Sequence, residues 1–176
     1  MTNELDIHSN NFETLLYIDN ILVETLDQSP FYRFSICDFG FASLVGQDGS
    51  NAPRTVVSGL QVPKTAGITA RYAAPELFVK LEILGARLNT EIDKKIDVFA
   101  YSMILYETLT RQVPWSDIKD LAEIKAVVTS GERPALTHQG SLNSAVSFIV
   151  EKGWTHSPYE RPSFDEILQI LSQKQF

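Results

Sequence analysis

Four places along the chain gather groups that could do chemistry. Asp38-Phe39-Gly40 sets a carboxylate and a glycine at the end of a β-prone run and the start of a loop. Thr69-Ala70-Arg71-Tyr72-Ala73-Ala74-Pro75-Glu76 closes that loop. Asp97 stands near the start of a strongly apolar stretch, and Arg161-Pro162 precedes the last amphipathic run. The candidate groups are carboxylates rather than thiols. Cys37 is the one cysteine, which excludes an intramolecular disulfide and a Cys-based zinc site. A carboxylate near the start of a buried helix, as at Asp97, needs a fixed partner.

The elements that must position these groups can be read from periodicity. From Ile96 to Leu109, ten of fourteen positions are apolar, with no Gly or Pro. The four polar ones, Asp97, Ser102, Glu107 and Thr108, spread around the helix instead of sharing one side. A helix without a polar face is a buried helix. Led by Lys94-Lys95, it is too short and too polar to span a bilayer. The remaining chain is expected to wrap around it.

Asn20-Ile21-Leu22-Val23-Glu24 and Phe31-Tyr32-Arg33-Phe34-Ser35-Ile36-Cys37 are β-prone, with turn residues between them, so a β-hairpin is expected. Gly46 to Thr69 is rich in Gly, Ser, Thr and Pro and reads as a long loop. Pro75 opens a helical stretch, and Ile83 to Asp93 reads as a connection. Three more helices are expected. Ile118, Leu121, Ile124 and Val128 mark the first, and Leu142, Val146, Ile149 and Val150 the second. The third starts at Ser163, where Ser163 and Glu166 form a Ser-x-x-Glu capping box, and carries Phe164, Ile167, Leu168 and Leu171 on one face.

Asp-Phe-Gly alone is weak evidence, since a given tripeptide occurs by chance in roughly a few of a hundred such chains at ~1/20 residue frequencies. The ordered set is specific. Asp38-Phe39-Gly40, the loop, Ala74-Pro75-Glu76, Asp97 and Arg161 together resemble the C-terminal lobe of a protein kinase, from about Asp19 to Leu171. Pro114-Trp115, Gly153-Trp154 and Arg161-Pro162-Ser163-Phe164 look most like the tyrosine-kinase-like group. Thr69, seven residues before Glu76, matches what serine/threonine kinases carry. The implied fold is mainly α with a small β-hairpin, a kinase-like C-lobe around a central buried helix. Residues 1–11 read as a polar leader and 12–173 as that lobe.

The resemblance implies Mg²⁺ and ATP as cofactors and a protein as substrate or partner. Asp38 matches the aspartate that holds Mg²⁺ against the nucleotide phosphates, where a hard oxygen ligand is required. Gly40 matches the glycine that frees the backbone at the loop's exit, and Asn20 the asparagine that holds the second Mg²⁺. Glu76 and Arg161 match a buried salt bridge tying the activation segment to the last helices. Asp97 matches the aspartate that anchors the catalytic loop, and Thr69 would shape the site receiving the substrate segment. Ser43, Ser50, Thr55, Ser58 and Thr65 lie in the loop region as conceivable phosphorylation sites, or as simple loop polarity.

The family's catalytic loop reads His-Arg-Asp-Leu-x-x-x-Asn. Counting back from Asn20 puts Leu15 at the base position, and Tyr17 where the family has lysine. In a second register, Ile7-His8-Ser9-Asn10 puts Asn10 there. Neither side chain accepts a proton, so no catalytic base is expected. The nineteen residues before Asn20 hold no Gly-x-Gly-x-x-Gly loop and no Val-Ala-Ile-Lys strand. The expectation is therefore a truncated kinase lobe, inactive alone, with apolar surface exposed near the hairpin and Phe39. The alternative is a pseudokinase-like module that docks a protein partner.

Composition agrees with an ordinary globular domain, at 44% apolar and 21% charged. A net charge of −7 argues against nucleic acid as the main partner. Met1 to Asn11 has neither a basic region nor an apolar core, so no secretory signal is expected, and with no membrane span the reading is cytoplasmic.

Overall fold

A computed structural model describes residues 11–13, 20–25, 32–37, 43–45, 70–82, 90–136 and 144–173. Among these residues, four strands come first: β1 (Asn11–Glu13), β2 (Ile21–Thr25), β3 (Tyr32–Ile36) and β4 (Ser43–Val45). A 3-10 turn, Ala70–Tyr72, leads into helices α1 (Pro75–Glu82), α2 (Thr90–Thr110), α3 (Leu121–Thr129), α4 (Ser144–Gly153) and α5 (Phe164–Ser172). A short 3-10 turn, Pro158–Glu160, lies before α5. The architecture is mainly α, built around α2.

Helix α2 is buried around most of its circumference over its middle turns. Ile96, Val98, Phe99, Ala100, Met103, Ile104 and Tyr106 are all in the core. Their directions leave one strip, where Tyr101 and Leu105 are half-buried and Thr108 is exposed. Each large side chain among the core residues contributes roughly 1.5–3 kcal/mol by leaving water. Around Phe99, Met103 and Tyr106 pack Tyr72, Phe78, Ile124, Val128 and Trp154. A smaller cluster joins Val98 to Ile149 of α4 and Ile167 of α5. Ser102 is fully buried yet satisfied, because its hydroxyl donates to the Val98 carbonyl at 2.9 Å. The sequence reading started this helix too late. Thr90 to Asp93, read as part of a connection, are its first turn. Their polar composition hid them, since periodicity tracks only the buried portion.

The other helices have local causes. Asp120 caps α3, accepting from the Ala122 amide at 3.0 Å. Its far end turns through Gly131 at φ 96°, a left-handed conformation that favours glycine. Ile118, expected to lie in this helix, sits in the turn before it. At α5, Ser163 accepts from the Glu166 amide at 3.2 Å, and the Glu166 carboxylate accepts from the Ser163 amide at 2.7 Å. Both halves of the capping box are made.

β2 and β3 pair antiparallel, with Val23 opposite Phe34 and Glu24 opposite Arg33. This is the expected hairpin. Because side chains alternate, Ile21, Val23 and Thr25 share a face with Ile36, Phe34 and Tyr32. Ile21 packs against the main core, but Val23, Tyr32, Phe34 and Ile36 are exposed, Phe34 at 67%. The opposite face carries the open Glu24–Arg33 pair at 4.0 Å, whose contribution is small.

A second two-stranded pair was not foreseen. β1 runs antiparallel to β4, with Phe12 opposite Leu44. Asn11, the last residue of the supposed leader, belongs to it. Two three-residue strands separated by the whole hairpin leave no local pattern to read. Among the described residues, no helix is long and apolar enough to cross a membrane.

Candidate functional site

The site is built where residues 70–76 meet α2 and the turn before α5. Ala70–Tyr72 forms one 3-10 turn, and Pro75 then begins α1 with Glu76 in its first turn. Proline suits that position, because its fixed φ is helical and its missing donor has no helical acceptor there. Arg161 follows the Pro158–Glu160 turn in extended conformation, at φ −76° and ψ 140°.

Glu76 and Arg161 meet as a two-point pair. One guanidinium nitrogen, Nη1, donates to Oε1 at 2.5 Å, and Nη2 donates to Oε2 at 2.9 Å. The side chain of Arg161 is 0% exposed and that of Glu76 14%. Nη1 also donates to the Lys95 carbonyl at 2.9 Å, Nη2 to the His156 carbonyl at 3.1 Å, and Nε to the Thr155 carbonyl at 3.0 Å. All five N–H donors of the guanidinium therefore have acceptors. A buried cation is tolerable only with this degree of satisfaction. The Lys95 ammonium returns the contact, donating to the Arg161 carbonyl at 2.6 Å.

A second guanidinium joins the first. Arg133 and Arg161 each lie 5.0 Å from the centroid of the Phe99 ring, in cation–π range. Arg133 donates through Nε to the Trp154 carbonyl at 2.6 Å and through Nη1 to the Val128 carbonyl at 3.2 Å. It thus ties the end of α3 to the end of α4. Burial, and then the neighbouring Arg161 charge, push its guanidinium down to about 10, so it remains cationic at neutral pH. Its Nη2 is buried with no acceptor.

Two further anchors hold the 70–76 segment. The Tyr72 hydroxyl donates to Glu107 of α2 at 2.5 Å. Arg71 donates to the carbonyls of Pro114, Trp115 and Ile118. Arg71 and Tyr72 stand inside the stretch already singled out, but nothing in the sequence points to their acceptors, which are backbone atoms and a distant glutamate. Arg133 was missed outright, because a lone arginine after a helix carries no periodic signal.

Asn20 is 5% exposed, at the head of β2. Its carbonyl accepts from the Cys37 amide at 2.8 Å. The residue that precedes Asp38 is thus bonded to Asn20. Asp97 is buried on α2. Asp38, Phe39, Gly40, Thr69, Leu15 and Asn10 lie outside the described residues, as do Ser50, Thr55, Ser58 and Thr65. Ser43 is in β4.

The chain is similar to known proteins over most of its length. A family model for the protein kinase domain matches residues 8–171. Serine/threonine-protein kinase CTR1 of Arabidopsis thaliana is 29% identical over 140 residues, covering 80% of this chain and 14% of that protein. Dual specificity protein kinase shkC of Dictyostelium discoideum is 30% identical over 140 residues, covering 79% of this chain and 24% of that protein. Serine/threonine-protein kinase VIK of Arabidopsis thaliana is 33% identical over 143 residues, covering 80% of this chain and 28% of that protein. The chain spans less than a third of the length of each of these three relatives. With a family match across nearly all its residues, and with its apolar helix packed at the centre of a largely helical fold, this chain belongs to the protein kinase domain family.

Proposed function

We propose that these 176 residues keep the metal-holding and scaffold corner of a serine/threonine protein kinase but do not transfer phosphate by themselves. Protein kinases use ATP with Mg²⁺ and act on protein substrates. In this chain Asn20 and Asp38 would hold the metal, with Gly40 freeing the backbone beyond. An amide oxygen and a carboxylate are hard donors of the kind Mg²⁺ prefers. The bond between Asn20 and Cys37, next to Asp38 in the chain, supports grouping the two donors. The metal would neutralise phosphate charge. Asp97 would anchor the loop that leads to Asn20, and Thr69 would shape the substrate site.

The observation that carries the negative half is the identity of the residue at the base position, Leu15 in one register and Asn10 in the other. Neither a leucine side chain nor a neutral amide can accept the proton of a substrate hydroxyl. Incubating the purified chain with Mg-ATP and a Ser/Thr peptide mixture tests this. No phosphopeptide is expected. Transfer that disappears in Asn20→Ala and Asp38→Ala would overturn the proposal.

A second reading is a protein-binding module, favoured by one observation. The 70–76 segment is anchored by Arg71, Tyr72 and Glu76 to three separate parts of the molecule. A segment fixed in this way is preorganised, which would lower the cost of binding at its start, where Thr69 would shape the substrate site. Peptides retained by the chain and released by Thr69→Trp would support it. Peptides that bind equally well to the variant would not.

A further inference from the structure

We infer that Arg71 is a positioning residue that holds the turn between α2 and α3 in a strained conformation and so fixes the 70–76 segment against it. Three acceptors converge on one guanidinium. Nη1 donates to the Pro114 carbonyl at 2.9 Å and also to the Trp115 carbonyl, while Nη2 donates to the Ile118 carbonyl at 2.8 Å. The two nitrogens thus span the turn from Pro114 to Ile118.

The turn needs an external hold. Trp115 has φ 56°, a left-handed conformation that a bulky residue adopts only against a steric cost. Among the described residues, the turn's own main-chain bond is from the Ile118 amide to the Trp115 carbonyl at 2.9 Å. The indole cannot help, because Nε1 is buried without an acceptor. Arg71 binds the carbonyl on each side of the strained φ, at Pro114 and at Trp115. A charged donor with a planar fork can hold carbonyls in this arrangement, which a single ammonium cannot.

Arg111, at φ 57°, is an internal comparison. It is also left-handed, but its amide donates to the Glu107 carbonyl at 2.7 Å, inside the helix end it closes. Arg71 does not hold it.

The functional meaning of the clamp rests on the proposal that a polypeptide binds next to the 70–76 segment, whereas the clamp itself rests on the contacts above. The experiment separates the two. Amide hydrogen exchange is measured on the full chain and on Arg71→Met and Arg71→Lys. Loss of the three charge-assisted bonds should speed exchange at the Ile118 amide by about tenfold or more. The Arg111 amide should be unchanged, and lysine should not rescue Ile118. Equal protection of Ile118 in all three proteins, or equal acceleration at Arg111 and Ile118, would overturn the clamp.

A thermodynamic cycle with Trp115→Gly supplies a second measurement. Glycine takes the left-handed conformation unaided. The loss of stability caused by Arg71→Met should therefore shrink in that background, and an identical loss in both backgrounds would refute the inference. Peptide binding is read in parallel. If no peptide binds the native chain, the binding proposal fails while the exchange result still decides the clamp.

Discussion

Glu76 and Arg161 stand 85 residues apart in sequence and share a two-point ion pair at 2.5 and 2.9 Å. The pair joins the first turn of α1 to the chain just ahead of α5. Either partner removed alone leaves the other without its counter-charge. Arg161→Ala and Glu76→Ala should each destabilise the chain by about 3–5 kcal/mol. Arg161→Lys should not rescue. Three rotatable donors replace a five-donor fork that has an acceptor for every N–H, so a loss of about 2 kcal/mol or more is expected. Urea unfolding of the four proteins gives the comparison. A lysine variant within about 0.5 kcal/mol of the native chain would mean that charge alone, not the fork, holds the segment.

Gly153 closes α4 against Ser102 of α2. A Cβ placed there would lie 1.9 Å from the serine Oγ and 3.1 Å from its Cβ. Helix propensity would favour alanine by up to about 1 kcal/mol. Overpacking at a buried helix contact opposes it by about 1–3 kcal/mol, because the serine must swing and lose its bond to the Val98 carbonyl. Gly153→Ala should therefore lower stability, and Ser102→Ala with Gly153→Ala should recover part of the loss. A neutral or stabilised single variant, in thermal or urea unfolding, would show that the two helices have room to separate.

The hairpin's open face has consequences in solution. Val23, Tyr32, Phe34 and Ile36 form an exposed apolar surface on one side of β2 and β3. Contiguous exposed surface of this kind binds hydrophobic dyes and promotes association. Phe34→Lys combined with Val23→Thr should reduce dye fluorescence and light scattering at equal protein concentration. The melting stability should stay within about 0.5 kcal/mol of the native chain, as for surface substitutions. Unchanged dye binding would mean that this face is covered when the chain is free.

What could be read from the sequence follows from the range of each signal. The central helix announced itself because apolar residues run round most of it, and the α5 start because Ser163 and Glu166 are three residues apart. The hairpin was legible because its strands are adjacent in the chain. The β1–β4 pair was not, since each strand is three residues long and its partner lies beyond the hairpin. At the site, carboxylates and arginines could be named from motifs, and the family resemblance paired Glu76 with Arg161, but the main-chain acceptors of the arginines could not be named. Arg71 binds three main-chain carbonyls, and no side-chain pattern encodes a carbonyl. Arg133 meets Phe99 and Arg161 only after α3 and α4 have packed on α2.

The α5 cap gives an acid-dependent prediction. Bonds from the Ser163 amide, then from its hydroxyl, hold the Glu166 carboxyl below its ordinary value of 4.5, with a smaller pull from Lys95. A carboxyl lowered on folding adds stability above its unfolded value, and that contribution is lost as pH falls through the folded value. The native chain should therefore lose the cap's contribution on acidification below about pH 4.5, the unfolded value. Glu166→Gln cannot titrate, so the difference in stability between the two proteins should be constant above that pH and narrow below it. Ser163→Ala removes the reciprocal bond and should cost about 1 kcal/mol near neutrality. Melting curves from pH 7 to pH 3 would show the convergence. Parallel curves down to the lowest pH would mean that the Glu166 carboxylate contributes nothing to the helix start.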